Sequence, residues 1–200
     1  RKHLREAVHD LEILTGRKLE NPDDPLLIAV RSALPEYFPG FMPTYLNVGL
    51  TPAVFKGLPR RYGKEAAGLI RLNNRKTILE ALDPEAFAPI EKEIHPSLHP
   101  ARTRELTEAV EALIARRNPE LLTSAAAQLE FFQEKAYAYY ETHLDALRNF
   151  MDREIHYPSL ILQRMVCTVM DDQSYPGVLY SRHPRRGQGV FVQFARKVFG

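Results

Sequence analysis

Two hundred residues with 44% hydrophobic and 26% charged side chains have the make-up of an ordinary globular chain, long enough for one domain or two small ones. A net charge of +2 is too small to argue for nucleic acid, and a single cysteine, Cys167, excludes a disulfide framework. No apolar run approaches the roughly 20 residues that a membrane-spanning helix needs, and no signal-peptide pattern opens the chain, so a cytoplasmic protein without a membrane partner is expected.

Residues 1–15 carry Leu4, Val8, Leu11, Ile13 and Leu14 at helical spacing, with Gly16 placed to end the helix. The chain starts inside this pattern without a Met and stops after an apolar, basic run, so it reads as part of something longer. After the loop Asn21–Pro25, the run from Leu26 to Val30 suits a short buried strand. An irregular stretch leads to a second extended segment at Thr44–Gly49. Thr51 and Pro52 then open a helix as N-cap and first helical residue. Helices are expected over Gly63–Leu82, from Asp83-Pro84 onward, and over Thr103–Ala115, whose stripe is Leu106, Ala109, Val110, Leu113 and Ile114. From Asn118-Pro119 to Phe150 the apolar steps alternate three and four, which predicts one helix of about 30 residues and about 45 Å. Past Tyr157-Pro158 the texture turns to strands: from Leu160, at Gly177–Ser181 and at Val190–Phe194. Helices first and a small antiparallel sheet last, with one early strand, make an α+β layout.

The chemistry concentrates in Pro25–Leu50. An apolar run ending in Arg31-Ser32 puts a guanidinium at the mouth of a strand, and a Pro39-Gly40 turn follows. Arginine offers five donors in a rigid fork and stays charged. Glycine lets backbone approach a ligand closely. The amides of Gly40 and Phe41 and the Thr44 hydroxyl are positioned in sequence to meet phosphate oxygens. Spacing alone also fits a strand-end arginine paired with a surface carboxylate, and a simple tight turn.

This segment resembles the ATP-binding domain of the pyruvate phosphate dikinase and phosphoenolpyruvate synthase family. The shared residues are Pro25-Leu26, Val30-Arg31-Ser32, Pro39-Gly40, Met42, Thr44, Leu46-Asn47 and Gly49-Leu50. Downstream, Gln163 with Met165-Val166, and Gly177-Val178 with Ser181-Arg182-His183-Pro184, resemble two further family strands. The resemblance implies a fragment of an ATP-grasp-like domain in three parts. Residues 1–50 would carry the phosphate strand and turn, 51–157 a helical insert, and 158–200 the antiparallel strands of the nucleotide-binding subdomain. It also implies ATP and Mg²⁺ as cofactors. Arg31, Gly40, Phe41, Thr44 and Arg182 would face phosphates, and Gln163 and Met165 the base. A phosphoryl group would pass to a histidine on a separate domain. That domain and the phosphoenolpyruvate/pyruvate-binding domain are missing here, so no catalytic residue and no activity of the fragment alone are expected.

Ala33 and Pro43 depart from the family pattern, and the strand at Val190–Phe194 lacks the family's acidic metal ligands. No metal site is assigned. His95 and His99 have helical metal-pair spacing, but Pro96 and Pro100 argue against a regular helix, and Asp171-Asp172 suit a turn. These departures favour a second expectation, a degenerate binding or regulatory module. A third is a helical interaction surface over Thr103–Phe150.

Overall fold

The computed structural model of the chain describes residues 2–34, 41–95, 98–150, 157–196 and 198–199. In chain order these form α1 (Lys2–Thr15), β1 (Ile28–Ala33), β2 (Tyr45–Val48), α2 (Pro52–Tyr62), α3 (Lys64–Leu82), α4 (Pro84–Glu91), α5 (Pro100–Arg117), a 3₁₀ turn (Pro119–Leu122), α6 (Ala125–Thr142), α7 (Leu144–Phe150), β3 (Ser159–Arg164), β4 (Gly177–Tyr180) and β5 (Phe191–Phe194). Helices with small antiparallel sheets are an α+β arrangement.

The main sheet runs β2-β1-β3, antiparallel throughout. Strand β1 is buried on both faces through Val30 and opens to solvent at Arg31. One face packs Ile28, Val30, Tyr45 and Val48 against Ile78 and Leu79 of α3, Val110 and Ile114 of α5, and Leu129, Phe132 and Ala136 of α6. The Tyr45 and Phe132 rings stack with centroids 4.5 Å apart. Phe132 has no exposed surface, and burial of such a ring stabilises by about 1.5–3 kcal/mol. A register shift between Ile28 and Val30 sets three residues of β1, 28–30, against four of β2, 45–48. This bulge turns Tyr45 and Val48 to the same core although they are an odd number of residues apart. A second cluster joins Leu27 and Leu50 to Val54 and Leu58 of α2, Ala66 and Ile70 of α3, and Val169.

Proline and short polar side chains set the helix starts. Pro52, Pro84 and Pro100 each stand at a helix start, where a missing N–H costs nothing. Asp83 accepts from the Ala86 amide, and Ser124 from the Ala127 amide. Thr51 occupies the N-cap position of α2 but makes no side-chain cap bond.

Two expectations are corrected. The stretch from Asn118 to Phe150 is not one helix of about 45 Å. It breaks at Thr123-Ser124, where Ser124 caps a fresh start, and again at His143, whose Nδ1 meets the Tyr139 carbonyl at 2.7 Å. The last strands do not form one sheet either. Strand β3 joins the early strands, while β4 and β5 pair only with each other among the described residues. The apolar stripe on α5 and α6 is spent within the chain: Leu106, Val110, Ile114, Phe132, Ala136 and Tyr140 are all buried. It therefore presents no interaction surface of the kind a coiled coil needs.

Candidate functional site

Arg31 is the first residue of β1 to leave the core. Its Cα partner on β3 is Ile161, and Gln163 stands opposite Ala29. Arg31 and Gln163 are thus diagonal neighbours on one face, within reach for long side chains. The guanidinium Nη1 donates to Gln163 Oε1 at 3.1 Å, and both side chains are exposed. Residues 132 positions apart meet here. One donor of the arginine fork is engaged by a neutral acceptor, and the other donors of that fork are open to an anion.

Thr44 precedes β2, one residue beyond the Val30–Tyr45 pair, as Arg31 is on β1. The two therefore lie at the same end of the ladder. The exposed Thr44 lines a cleft of about 550 Å³ between the start of β2, α3 and α6. Lys76, Glu80, Lys135 and Tyr139 also line it. Lys76 lies over the Phe87 ring and Lys135 over the Phe131 ring, and neither has an ion pair among the described residues. Phe41 sits edge-on to Tyr139 and His143, at 5.9 and 5.8 Å between centroids. The Tyr45 phenol at the cleft wall is pushed up to about 12, first by burial and then by the charges of Glu80 and Tyr139.

Met165 extends the β3–β1 ladder by one step, its amide donating to the Leu27 carbonyl at 2.8 Å. Its sulfur accepts from the Asn47 amide at 3.2 Å, so Met165 ties β3 to the end of β2. From Leu27 to Arg31 is four strand residues, about 13 Å at 3.3 Å each. Arg182 follows β4 and is exposed at the tip of the β4–β5 hairpin. No sheet pairing brings it to Arg31 or Gln163 among the described residues. The tip is shaped by His183, whose Nδ1 accepts from the Arg185 and Arg186 amides. Gly40 lies outside the described residues.

Behind the site is a buried polar network that the sequence did not signal. Gln128 on α6 accepts from the Gly49 amide and donates to the Leu50 and Leu121 carbonyls. Asn74 on α3 donates to Gln128 and to the Asn47 carbonyl, and accepts from Arg75 Nη1. Arg75, 1% exposed, also donates to Glu111, which Arg71 clamps with two bonds of 3.0 and 2.7 Å. Burial raises the Glu111 carboxyl, but the hydrogen bonds from Arg71 and Arg75 outweigh it and hold the acid below the usual range. Burial lowers the Arg75 guanidinium, and the bond to Glu111 opposes that shift. The pair is ionised at neutral pH because each ion is the other's main compensation. Asn73 to Thr77 are consecutive polar residues, and nothing in the sequence says which of their side chains turn inward; Asn47 was visible only as a letter of the motif.

No His, Cys, Asp or Glu cluster fit to hold a metal ion occurs among the described residues. Strand β5, Phe191–Phe194, offers no carboxylate, and Asp171 is engaged in its own turn with Ser174 and the Gln173 amide. No described helix is long and apolar enough to cross a membrane.

No family model matches the chain. Individual relatives do. A pyruvate, phosphate dikinase of Clostridium symbiosum is 41% identical over 58 residues, which is 29% of this chain and 7% of that protein. One from Rickettsia conorii is 36% identical over 66 residues, 33% of this chain and 8% of that protein. Pyruvate, phosphate dikinase 2 of Oryza sativa subsp. japonica is 26% identical over 213 aligned residues, covering 92% of this chain and 22% of the relative. The chain thus spans less than a quarter of the length of these relatives. It is similar to pyruvate, phosphate dikinases over part of their length and at modest identity.

Proposed function

We propose that this chain is the nucleotide-binding part of a dikinase-type phosphotransferase, built as part of an ATP-grasp-like domain. ATP lies along β3 and the exposed end of β1. Its phosphates meet Arg31 and Thr44 and extend toward Lys76 and Lys135; its base lies toward Met165. Gly40 and Phe41 also serve the phosphates in this reading, and Arg182 reaches them from the hairpin. The phosphoryl group then passes to a histidine on a separate domain. In this reading residues 1–50 and 158–200 form the nucleotide-binding part, and the helical insert 51–157 adds Lys76 and Lys135 to the site.

One observation carries the proposal: Arg31 and Gln163 meet at 3.1 Å on an open sheet face. A phosphate at Arg31 exchanges a neutral amide acceptor for an anionic one, which the guanidinium fork can also grip with two bonds. That exchange frees the Gln163 amide for the base. The donor set suits a polyanion, with one guanidinium, one hydroxyl and two lysines unpaired among the described residues. The described residues do not suit Mg²⁺, and no step is assigned to it here.

The test is isothermal titration of the full-length protein with ATP, with and without Mg²⁺. Arg31→Ala is expected to weaken ATP at least tenfold. It should change stability by less than about 0.5 kcal/mol, because the side chain is exposed. Equal affinity in Arg31→Ala and parent would sink the proposal. A second reading is favoured by Pro43 on the cleft wall and by the carboxylate-free β5. In it, the protein is a non-catalytic relative that binds or regulates, and ATP affinity is indifferent to Mg²⁺.

A further inference from the structure

Asn47 is the one non-glycine residue with positive φ among the described residues, at 55°. It is completely buried. Asparagine adopts this left-handed conformation more readily than other residues with a Cβ, and a buried instance signals a backbone held for a purpose. Every polar group of Asn47 but one is engaged. Its amide donates to Met165 Sδ at 3.2 Å, its carbonyl accepts from Asn74 at 2.7 Å, and its Nδ2 donates to Asn73 Oδ1 at 2.7 Å. Its Oδ1 is buried without a partner. Asn73 in turn lines the cleft beside Thr44.

We infer that Asn47 is a positioning residue for the nucleotide site: its left-handed backbone aims one amide at Met165 and thereby fixes that side chain against the end of β2. This rests on the nucleotide reading above and deepens it. Met165 is unbranched, with a flexible thioether that needs an outside restraint to hold one place. The same short strand, Tyr45–Val48, carries Asn47 next to its last residue and begins just past Thr44, so one backbone setting registers both ends of the proposed site.

The conformation, not the side chain, is what acts. Glycine adopts φ near 55° without strain; alanine does not. Both substitutions remove the bond to Asn73. A merely structural role predicts equal effects of the two. The positioning role predicts that they differ at Met165.

The experiment uses the full-length protein with ¹³C-methyl methionine, the Met165 signal assigned by its loss in Met165→Leu. Asn47→Ala is expected to move the Met165 methyl resonance and to weaken ATP at least tenfold. Asn47→Gly is expected to leave the resonance in place and the affinity within threefold. Asn73→Ala, which removes only the side-chain bond, should leave the Met165 resonance in place. Should Asn47→Ala fail to fold, Asn47→Ser takes its place, with a Cβ in the same strained setting and a hydroxyl for Asn73. Equal displacement in the alanine (or serine) and glycine variants, or no displacement in either, overturns the inference. A parent protein that binds no ATP, with the methyl shifts as expected, overturns the nucleotide reading and leaves Asn47 as the holder of Met165.

Discussion

Glu111→Gln is the sharpest test of how the helices are held behind the site. The carboxylate takes three guanidinium hydrogen bonds, one from Arg75 and two from Arg71. The Arg75 side chain is 2% exposed and that of Glu111 19%. Removing one ion of a buried pair costs about 3–5 kcal/mol, because the other is left uncompensated. Partial exposure of Glu111 and the oxygen that glutamine keeps lower this to about 2–3 kcal/mol. For a chain of this size each kcal/mol moves Tm by about 2–4 °C, so a fall of about 5–10 °C is expected. Urea unfolding of parent and variant at pH 7 measures it. The pH dependence has a definite sign. The folded Glu111 acid lies below the ordinary carboxylate range, so its contribution is complete above that range and fades as pH falls through the folded value. The variant lacks this acid limb. A loss under about 1 kcal/mol at pH 7, or an unchanged acid limb, would show that the guanidinium cluster does not depend on Glu111.

Gly57→Ala tests a close approach. A Cβ there would stand 1.6 Å from the Pro22 carbonyl oxygen. Helix propensity alone favours alanine by about 1 kcal/mol, but the overlap is with backbone and forces α2 away from its loop. A net loss of about 2–4 kcal/mol is expected in chemical unfolding; a gain would show that α2 does not sit on Pro22. Tyr45 governs the alkaline side. Its folded pKa of about 12 exceeds the usual value of about 10, so stability is full below 10 and falls as pH rises toward 12, by up to about 2–3 kcal/mol. Tyr45→Phe should flatten that fall, read from urea midpoints at pH 9 to 11.5; an equal fall in both proteins would count against a buried phenol.

Local chemistry made much of the fold legible. Gly16 ends α1 with φ of 67°, Asp83 caps α4, and Pro52 and Pro100 start their helices where their missing amides do no harm. The run Leu26–Val30 reads as a buried strand because it is covered on both faces. What escaped was tertiary. The three-four repeat through residues 118–150 persists across two breaks, because the 3₁₀ turn and α6 turn their apolar sides to the same core and Leu147 of α7 is buried as well. The pairing of β3 with β1 spans more than a hundred residues and leaves no local mark. At the site, Arg31, Thr44, Gln163 and Met165 stood out by chain position. Lys76, Lys135 and the amides of Asn73, Asn74 and Gln128 did not, since a polar residue on a helix looks the same in sequence whether it faces solvent or a strand end.

The offset between Ile28 and Val30 fixes how many residues β2 can have. Because the chain spends an additional residue there, Tyr45 and Val48 both enter the interior while Thr44 and Asn47 keep their separate posts at either end. Losing that residue would restore strict alternation and swing one aromatic or one valine into solvent. A strand shortened or lengthened by one residue within 45–48 therefore cannot keep both side chains in the core.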